Sequence, residues 1–229
     1  MTTSPLLPPS GLPLSPTPRS TLRRMPERAA GDREALYAVL DAGFVGHLGF
    51  VVDGAPVVLP TLYGREGDAV YLHGSTGAAS LRAASEGVAV CLTVTHVDAL
   101  IYARSAFHHS MNYRSAVVHG AARRLVGEEA LHGLRVLVDH VAPGSWDHAR
   151  PPTAKEQAAT AVLVLPLAEA SVKSRTGGPH DDDEDVLADA AWAGVLPLEQ
   201  RWGAPLPSSD LPGERPVPAH VTGRRAPGR

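Results

Sequence analysis

The 229-residue chain reads as an α+β protein, mostly antiparallel β-barrel with a few peripheral helices. Three observations lead there. Short strand-like apolar runs follow one another from residue 44 onward, the first two joined by Asp53-Gly54, a strong two-residue hairpin signal. The helical patterns between them are too few to cover both faces of a parallel sheet. The length suffices for one domain with a real core and is too short for two large ones.

Taken in order, residues 1–22 are rich in Pro, Ser and Thr. Pro5, Pro8, Pro9, Pro13, Pro16 and Pro18 prevent helix and deny a sheet its N–H donors, so a flexible tail is expected. A domain then spans 23–203. It opens with Asp32 as cap of a helix from Arg33 to Ala42, with Leu36, Val39 and Leu40 on one face and Gly43 as its stop. Strands are expected at Phe44 to Val52, Pro56 to Tyr63 and Ala69 to His73, and a short helix at Ala78 to Ser85. A strand pair, Val88 to Thr95 and Ala99 to Ala103, precedes a loop at Arg104 to Met111 and a long strand from about Asn112 to Leu125. Helices at Glu128 to Val141 and Thr153 to Ala159 lead to one strong strand, Thr160 to Val172. The acidic run Asp181 to Asp185 starts a last helical turn before a strand at Ala191 to Leu198, and residues 204–229 form a Pro- and Arg-rich arm.

Composition narrows the partners. Lys and Arg number 21 and Asp and Glu 24, a formal charge of −3. There is no general pull toward nucleic acid or an anionic membrane, and any attraction for phosphate must be local. The single cysteine, Cys91, excludes an intramolecular disulfide and a Cys-based zinc cluster, and its apolar surroundings from Val88 to Leu92 suit a buried, inert thiol. No apolar run approaches the roughly 20 residues of a spanning helix. The N-terminus lacks the basic start and continuous apolar core of a signal peptide, so the cytoplasm is the expected location.

Three segments could carry chemistry. In Leu72-His73-Gly74-Ser75-Thr76-Gly77, a strand ends in a small-residue turn that opens the expected helix. Its free N–H groups, the hydroxyls of Ser75, Thr76 and Ser80, and Arg82 could cradle a phosphate. The same residues equally serve as an ordinary helix cap. In Ser110-Met111-Asn112-Tyr113-Arg114-Ser115, alternation puts Asn112 and Arg114 on one face and Tyr113 and Ser115 on the other. Such donors and acceptors suit the edge of a heterocycle, or a solvated strand edge. In Lys173-Ser174-Arg175, the two cations share a face, suited to a phosphate or carboxylate, or to a protected edge strand. Adjacent His108 and His109 point oppositely on a strand and have no nearby carboxylate, so no metal site is expected. No Gly-x-Ser-x-Gly elbow supports a hydrolase.

The order of Leu59-Pro60-Thr61, Leu72-His73-Gly74-Ser75, Ser110 to Ser115 and Lys173-Ser174-Arg175-Thr176-Gly177 resembles the pyridoxamine 5'-phosphate oxidase-like flavoproteins, nearest the nitroimidazole-resistance branch. Pro143-Gly144-Ser145-Trp146, Arg150-Pro151-Pro152-Thr153 and Trp192 to Pro197 fit the same branch, and the likeness covers about Arg23 to Gly203. The resemblance implies an FMN-binding split β-barrel, a Greek-key antiparallel barrel that holds FMN at a homodimer interface. It implies that Val58, Leu59, Pro60 and Thr61 run along the isoalloxazine ring. His73, Gly74, Ser75 and Ser80 would lie by the ribityl phosphate. Asn112, Tyr113, Arg114 and Ser115 would edge the ring system, with Lys173 or Arg175 approaching from either subunit. Relatives often carry a lysine about where Ser80 stands. Its absence removes a charge-assisted bond of about 1.5–3 kcal/mol, one or two decades in Kd, unless another cation substitutes.

The function implied is a flavin-dependent oxidoreductase acting on a small molecule, with NAD(P)H as donor and the chemistry carried mainly by the flavin. No residue is identified as acid or base, although Tyr113 and His109 each hold a movable proton. A flavin-storage protein shares the same site. A third alternative replaces FMN by a deazaflavin or by haem, with His108, His109 or His119 as available axial ligands. The oxidase activity itself is not expected, since an Arg-rich C-terminal substrate segment is missing.

Overall fold

The structure is a computed structural model that describes residues 14, 17–30, 32–77 and 86–225. Its elements are β1 (Ala29–Ala30), α1 (Arg33–Asp41), β2 (Val45–Val52), β3 (Ala55–Glu66), β4 (Ala69–Ser75), β5 (Glu86–Tyr102) and β6 (Ser110–Leu125). There follow α2 (Gly127–Val141), α3 (Ser145–His148), α4 (Ala154–Ala159), β7 (Thr160–Pro166), β8 (Glu169–Arg175), α5 (Asp183–Ala188), β9 (Gly194–Pro197) and α6 (Ala219–Thr222).

Every strand pairing is antiparallel. The order β6-β7-β4-β3-β2-β5 returns to β6, so six strands close into a ring. Only the far end of β6 pairs with β7, at Arg123 to Leu125, whereas Tyr113 to His119 pair with β8. The ring is therefore split along β6, with β8 and β1 leaving on one side and β9 adding to β5. This is the split-barrel architecture the sequence predicts.

Alternation explains the interior. Leu48, Phe50, Tyr63, Val70, Leu72, Leu92, Val94, Val118, Leu163 and Leu165 point inward and form one core, joined by Leu36, Val39 and Leu40 of α1. The Asp32 side chain caps α1 by accepting from the Ala35 N–H at 2.7 Å. Asp53 and Gly54 both take positive φ, 51° and 78°, as a type I′ hairpin between β2 and β3 requires. A second, smaller core lies outside the ring, where α2 covers β3, β4 and β7 through Leu125, Leu137 and Val162 with Leu62, Tyr71 and Leu134.

The structure revises several boundaries. The strand expected from Thr160 to Val172 is two strands, β7 and β8, because Leu167 and Ala168 turn the chain. The Leu167 N–H donates to the Asp68 carbonyl at 2.8 Å. The expected pair over 88–103 is a single 17-residue strand, bent where the register shifts between Val97 and Ala99. Cys91 is only half-buried, since it lies on the outward face of β5. Part of the expected N-terminal tail is docked: Thr17 and Arg19 both bond to Glu169, the latter at 2.5 Å. The C-terminal arm is anchored by Trp202, which stacks on Phe44 and donates to the Arg225 carbonyl at 2.7 Å. The helix expected from Ala78 to Ser85 lies outside the described residues.

Candidate functional site

The candidate residues gather in two groups. The first forms where β6 and β8 run side by side. Register places Tyr113 opposite Arg175 and Ser115 opposite Lys173, so the two polar segments picked from sequence are brought together. Asn112 is buried, and its Oδ1 accepts from Arg175 Nη1 at 2.6 Å while its Nδ2 donates to the Gly177 carbonyl at 3.0 Å. Ser115 Oγ donates to the Lys173 carbonyl at 3.2 Å, and Lys173 Nζ reaches the Arg24 carbonyl at 3.5 Å. Arg114 points elsewhere and pairs with Asp98 at 2.8 Å, which holds its pKa above the ordinary arginine value.

Arg175 is the unusual member. It is 6 % exposed, and its remaining Nη2 donates to the Gly178 carbonyl at 3.0 Å. Its Nε has no partner, and no carboxylate pairs with it among the described residues. Burial lowers its pKa, and the nearby cation Arg28 pushes the same way, against the opposing influence of Tyr113. Charges are seldom buried unpaired, because desolvation costs several kcal/mol. A guanidinium held only by neutral acceptors, with Arg28 and Lys173 close by, makes this stretch of β6 and β8 electropositive and suited to an anion.

The second group lies on β3 and β4. Val58 and Pro60 point outward and are exposed, while Leu59 and Thr61 face in. His73, Gly74 and Ser75 end β4, and Ser75 Oγ accepts from the Gly77 N–H at 3.2 Å. Ser80, with Arg82, lies outside the described residues. The two groups do not meet within one chain, since β3 and β6 stand three strands apart round the ring. Register nevertheless joins them across the outer surface. Pro60, His47, Thr93, Val117 and Ser171 are successive partners on β3, β2, β5, β6 and β8. Each alternates with a residue facing the barrel core, so this row points outward. His47 in that row had no signal in the sequence, because only register shows what it stands beside.

His73 has a setting of its own. It lies opposite Leu62, since Tyr63 pairs with Leu72 in the antiparallel β3–β4 ladder. With Leu62 it lines a cavity of about 320 Å³, closed on the other side by Leu134, Leu137, Val138, Val141 and Ala142 of α2 and its end. Burial in this apolar cleft lowers the His73 pKa. The spacing of Leu134, Leu137, Val138 and Val141 is a legible helical stripe, but nothing in the sequence tells which strand it covers.

His108, His109 and His140 are engaged. His108 Nε2 faces Asp182 at 3.3 Å, His109 Nδ1 sits 3.1 Å from the Ser105 carbonyl, and His140 lies between the Gly43 carbonyl at 2.7 Å and the Arg65 N–H. His119 stands on the outer face of β6, between Cys91 and Glu169. Among the described residues no helix is long and apolar enough to cross a membrane.

The family model described as pyridoxamine 5'-phosphate oxidase matches residues 32–174. The chain is similar to the flavocytochrome Anf3 from Azotobacter vinelandii, at 40% identity and a TM-score of 0.86, over 93% of this chain and 100% of that one. It is also similar to the FAD and haem binding protein from Mycobacterium smegmatis, at 38% identity and TM-score 0.84, over 88% and 99% of the two chains. A protein from Bacteroides thetaiotaomicron, provisionally named for 5-nitroimidazole antibiotic resistance, shares the fold at 20% identity and TM-score 0.56, over 64% and 86%. A search of the curated proteins finds no match.

Proposed function

The chain belongs to the pyridoxamine 5'-phosphate oxidase family, and from that premise we propose that it is a flavin-binding redox protein that also takes a haem. The observation that carries the flavin half is Arg175, a buried cation without a carboxylate, held by Asn112 beside Tyr113 and Lys173. An anionic ligand end completes it. The phosphate of FMN, the flavin implied by the sequence resemblance, and the phosphates of FAD, named for the mycobacterial relative, offer the same chemistry to this stretch. The haem half rests on the two relatives near 40% identity and on the apolar, imidazole-bearing cleft between β4 and α2, which suits a flat apolar ligand with a metal at its centre.

When bound, a flavin supplies hydride and one-electron transfer and a haem one-electron transfer. This chain's residues supply position. Arg175 and Lys173 hold negative charge, Asn112 and Ser115 fix β8 against β6, and Val58 and Pro60 offer an apolar shelf. The uncovered outer row from Pro60 to Ser171 suits a second copy, which would bring the β3 group of one chain to the β6–β8 group of its partner as a homodimer. NAD(P)H as donor and a small molecule as acceptor complete the reading as an oxidoreductase.

The test is an absorbance spectrum of the freshly purified protein, with mass spectrometry of ligands released on denaturation. Flavin and haem bands are expected, and the released mass separates FMN from FAD. A colourless protein that stays colourless after FMN, FAD and haemin are added would refute the reading. Steady-state NADH or NADPH oxidation then tells turnover from storage, since a stored flavin is never reduced.

A further inference from the structure

We propose that His73 is an axial ligand of the haem, whose ring would enter the cleft between β4 and the C-terminal half of α2. This rests on the haem half of the function proposed above and assigns the residue that would hold the iron. The donor set selects the ligand class. Around the cleft stand six apolar residues and one imidazole, Leu62 on the floor and Leu134, Leu137 and Val141 on the helical wall among them. Among the described residues that line it, a phosphate finds no cation. A structural zinc needs about four ligands, and among the described residues no group of three or more His, Cys, Asp or Glu side chains could hold a metal ion. A haem asks for what is present: apolar contact over a flat ring and a single nitrogen toward its iron.

His96, His108, His109, His132 and His140 each have one ring nitrogen bonded, to Val39, Asp182, Ser105, Glu66 and Gly43 in turn, and none of the five lines this cleft. The His73 imidazole has no hydrogen-bond partner among the described residues, and among them it is the histidine set in a cavity lined otherwise by apolar side chains. Desolvation there also favours the neutral imidazole, the form that binds a metal. The cleft is open along the side where His73 and Val138 reach solvent, which gives a ring a way in.

The full-length chain would be produced with haem supplied, as wild type, His73→Ala, His73→Met and the surface control His132→Ala. Haem per chain would be measured by pyridine haemochrome, axial ligation by electron paramagnetic resonance, and flavin by release. Wild type and His132→Ala should carry haem with a histidine-ligated signature. His73→Ala should fall at least tenfold in haem content with its flavin retained, and added imidazole should restore the wild-type spectrum. His73→Met should keep haem with a changed spectrum, which covers the case in which the alanine variant fails to fold. Unchanged haem content and ligation in both variants would overturn the assignment alone. A wild-type chain that takes up flavin but never haem would overturn the haem half of the function, and this inference with it.

Discussion

Arg33 and Arg175 are both buried guanidiniums with a bare Nε, and their neighbours give them opposite consequences. Arg33 pairs with Asp68 at 2.7 Å, in a site where both side chains are about 5% exposed, and Tyr37 donates to the same carboxylate. Removing Arg33 would strand a buried charge, so Arg33→Met is expected to cost about 3–5 kcal/mol in chemical denaturation. Arg175 has no such partner. Arg175→Met should cost the ligand-free protein less than Arg33→Met does, about 1–3 kcal/mol, since it strands only the neutral Asn112 and Gly178 oxygens, while weakening flavin binding by one to two decades in a fluorescence titration. Equal stability losses in both variants would remove the case for Arg175 as an anion receptor. Histidine adds a pH dependence. Burial lowers the His140 pKa, against the raising influence of its bond to Gly43, so the folded state keeps it neutral where the unfolded chain protonates. A depressed histidine contributes fully above its unfolded pKa of about 6.5, and the contribution is lost as pH falls from there through the folded value. His73 has the same sign in the ligand-free chain. Melting temperature should therefore fall from pH 7 to pH 5, and less steeply in His140→Gln.

At the scale of elements, the docking of α2 shapes the cleft that His73 lines. Two glycines allow it. A Cβ at Gly64 would come within 2.9 Å of the Leu137 Cα and the Val136 carbonyl oxygen, backbone atoms that cannot step aside. A Cβ at Gly133 would meet side-chain atoms of Val162 and Tyr71 at 2.8 and 2.9 Å. Alanine at 133 gains up to about 1 kcal/mol of helix propensity to offset its clash, whereas alanine at 64 gains nothing comparable. Gly64→Ala should cost about 1–3 kcal/mol and should loosen haem more than flavin, read by the ratio of the two absorbances. The long strands carry the other lesson. β6 serves two neighbours in succession, β8 and then β7, and the bend of β5 at Val97–Ala99 lets it serve β6 along its length while taking β9 at its end.

For the whole molecule, the consequence is an unshared surface. The helix α2 covers only the β3–β4–β7 side of the ring, and the β3–β2–β5–β6–β8 row stays open. Val58 is 63% exposed there, with Val51 and Val45 near half. Large exposed apolar faces on a sheet mark an interaction site. Val58→Glu should shift light scattering from dimer toward monomer and lower flavin retention with it, because each proposed site draws on two chains. A monomeric wild-type protein that still binds flavin tightly would refute the two-chain site.

Much of this is legible in the sequence. Apolar runs marked β2, β3 and β4, Asp53-Gly54 marked the hairpin, and Asp32 marked the start of α1, because each depends on neighbours a few positions away. Asn112, Lys173 and Arg175 were legible as polar residues on strands, and the family follows from motif order. What only the tertiary structure decided is who stands beside whom. Arg175 became an unpaired cation when β8 settled against β6. His73 became a lone imidazole in an apolar cleft when α2, more than 50 residues further along, docked over it. Strand register and helix docking are set by packing summed over the whole barrel, and no local window of sequence contains that sum.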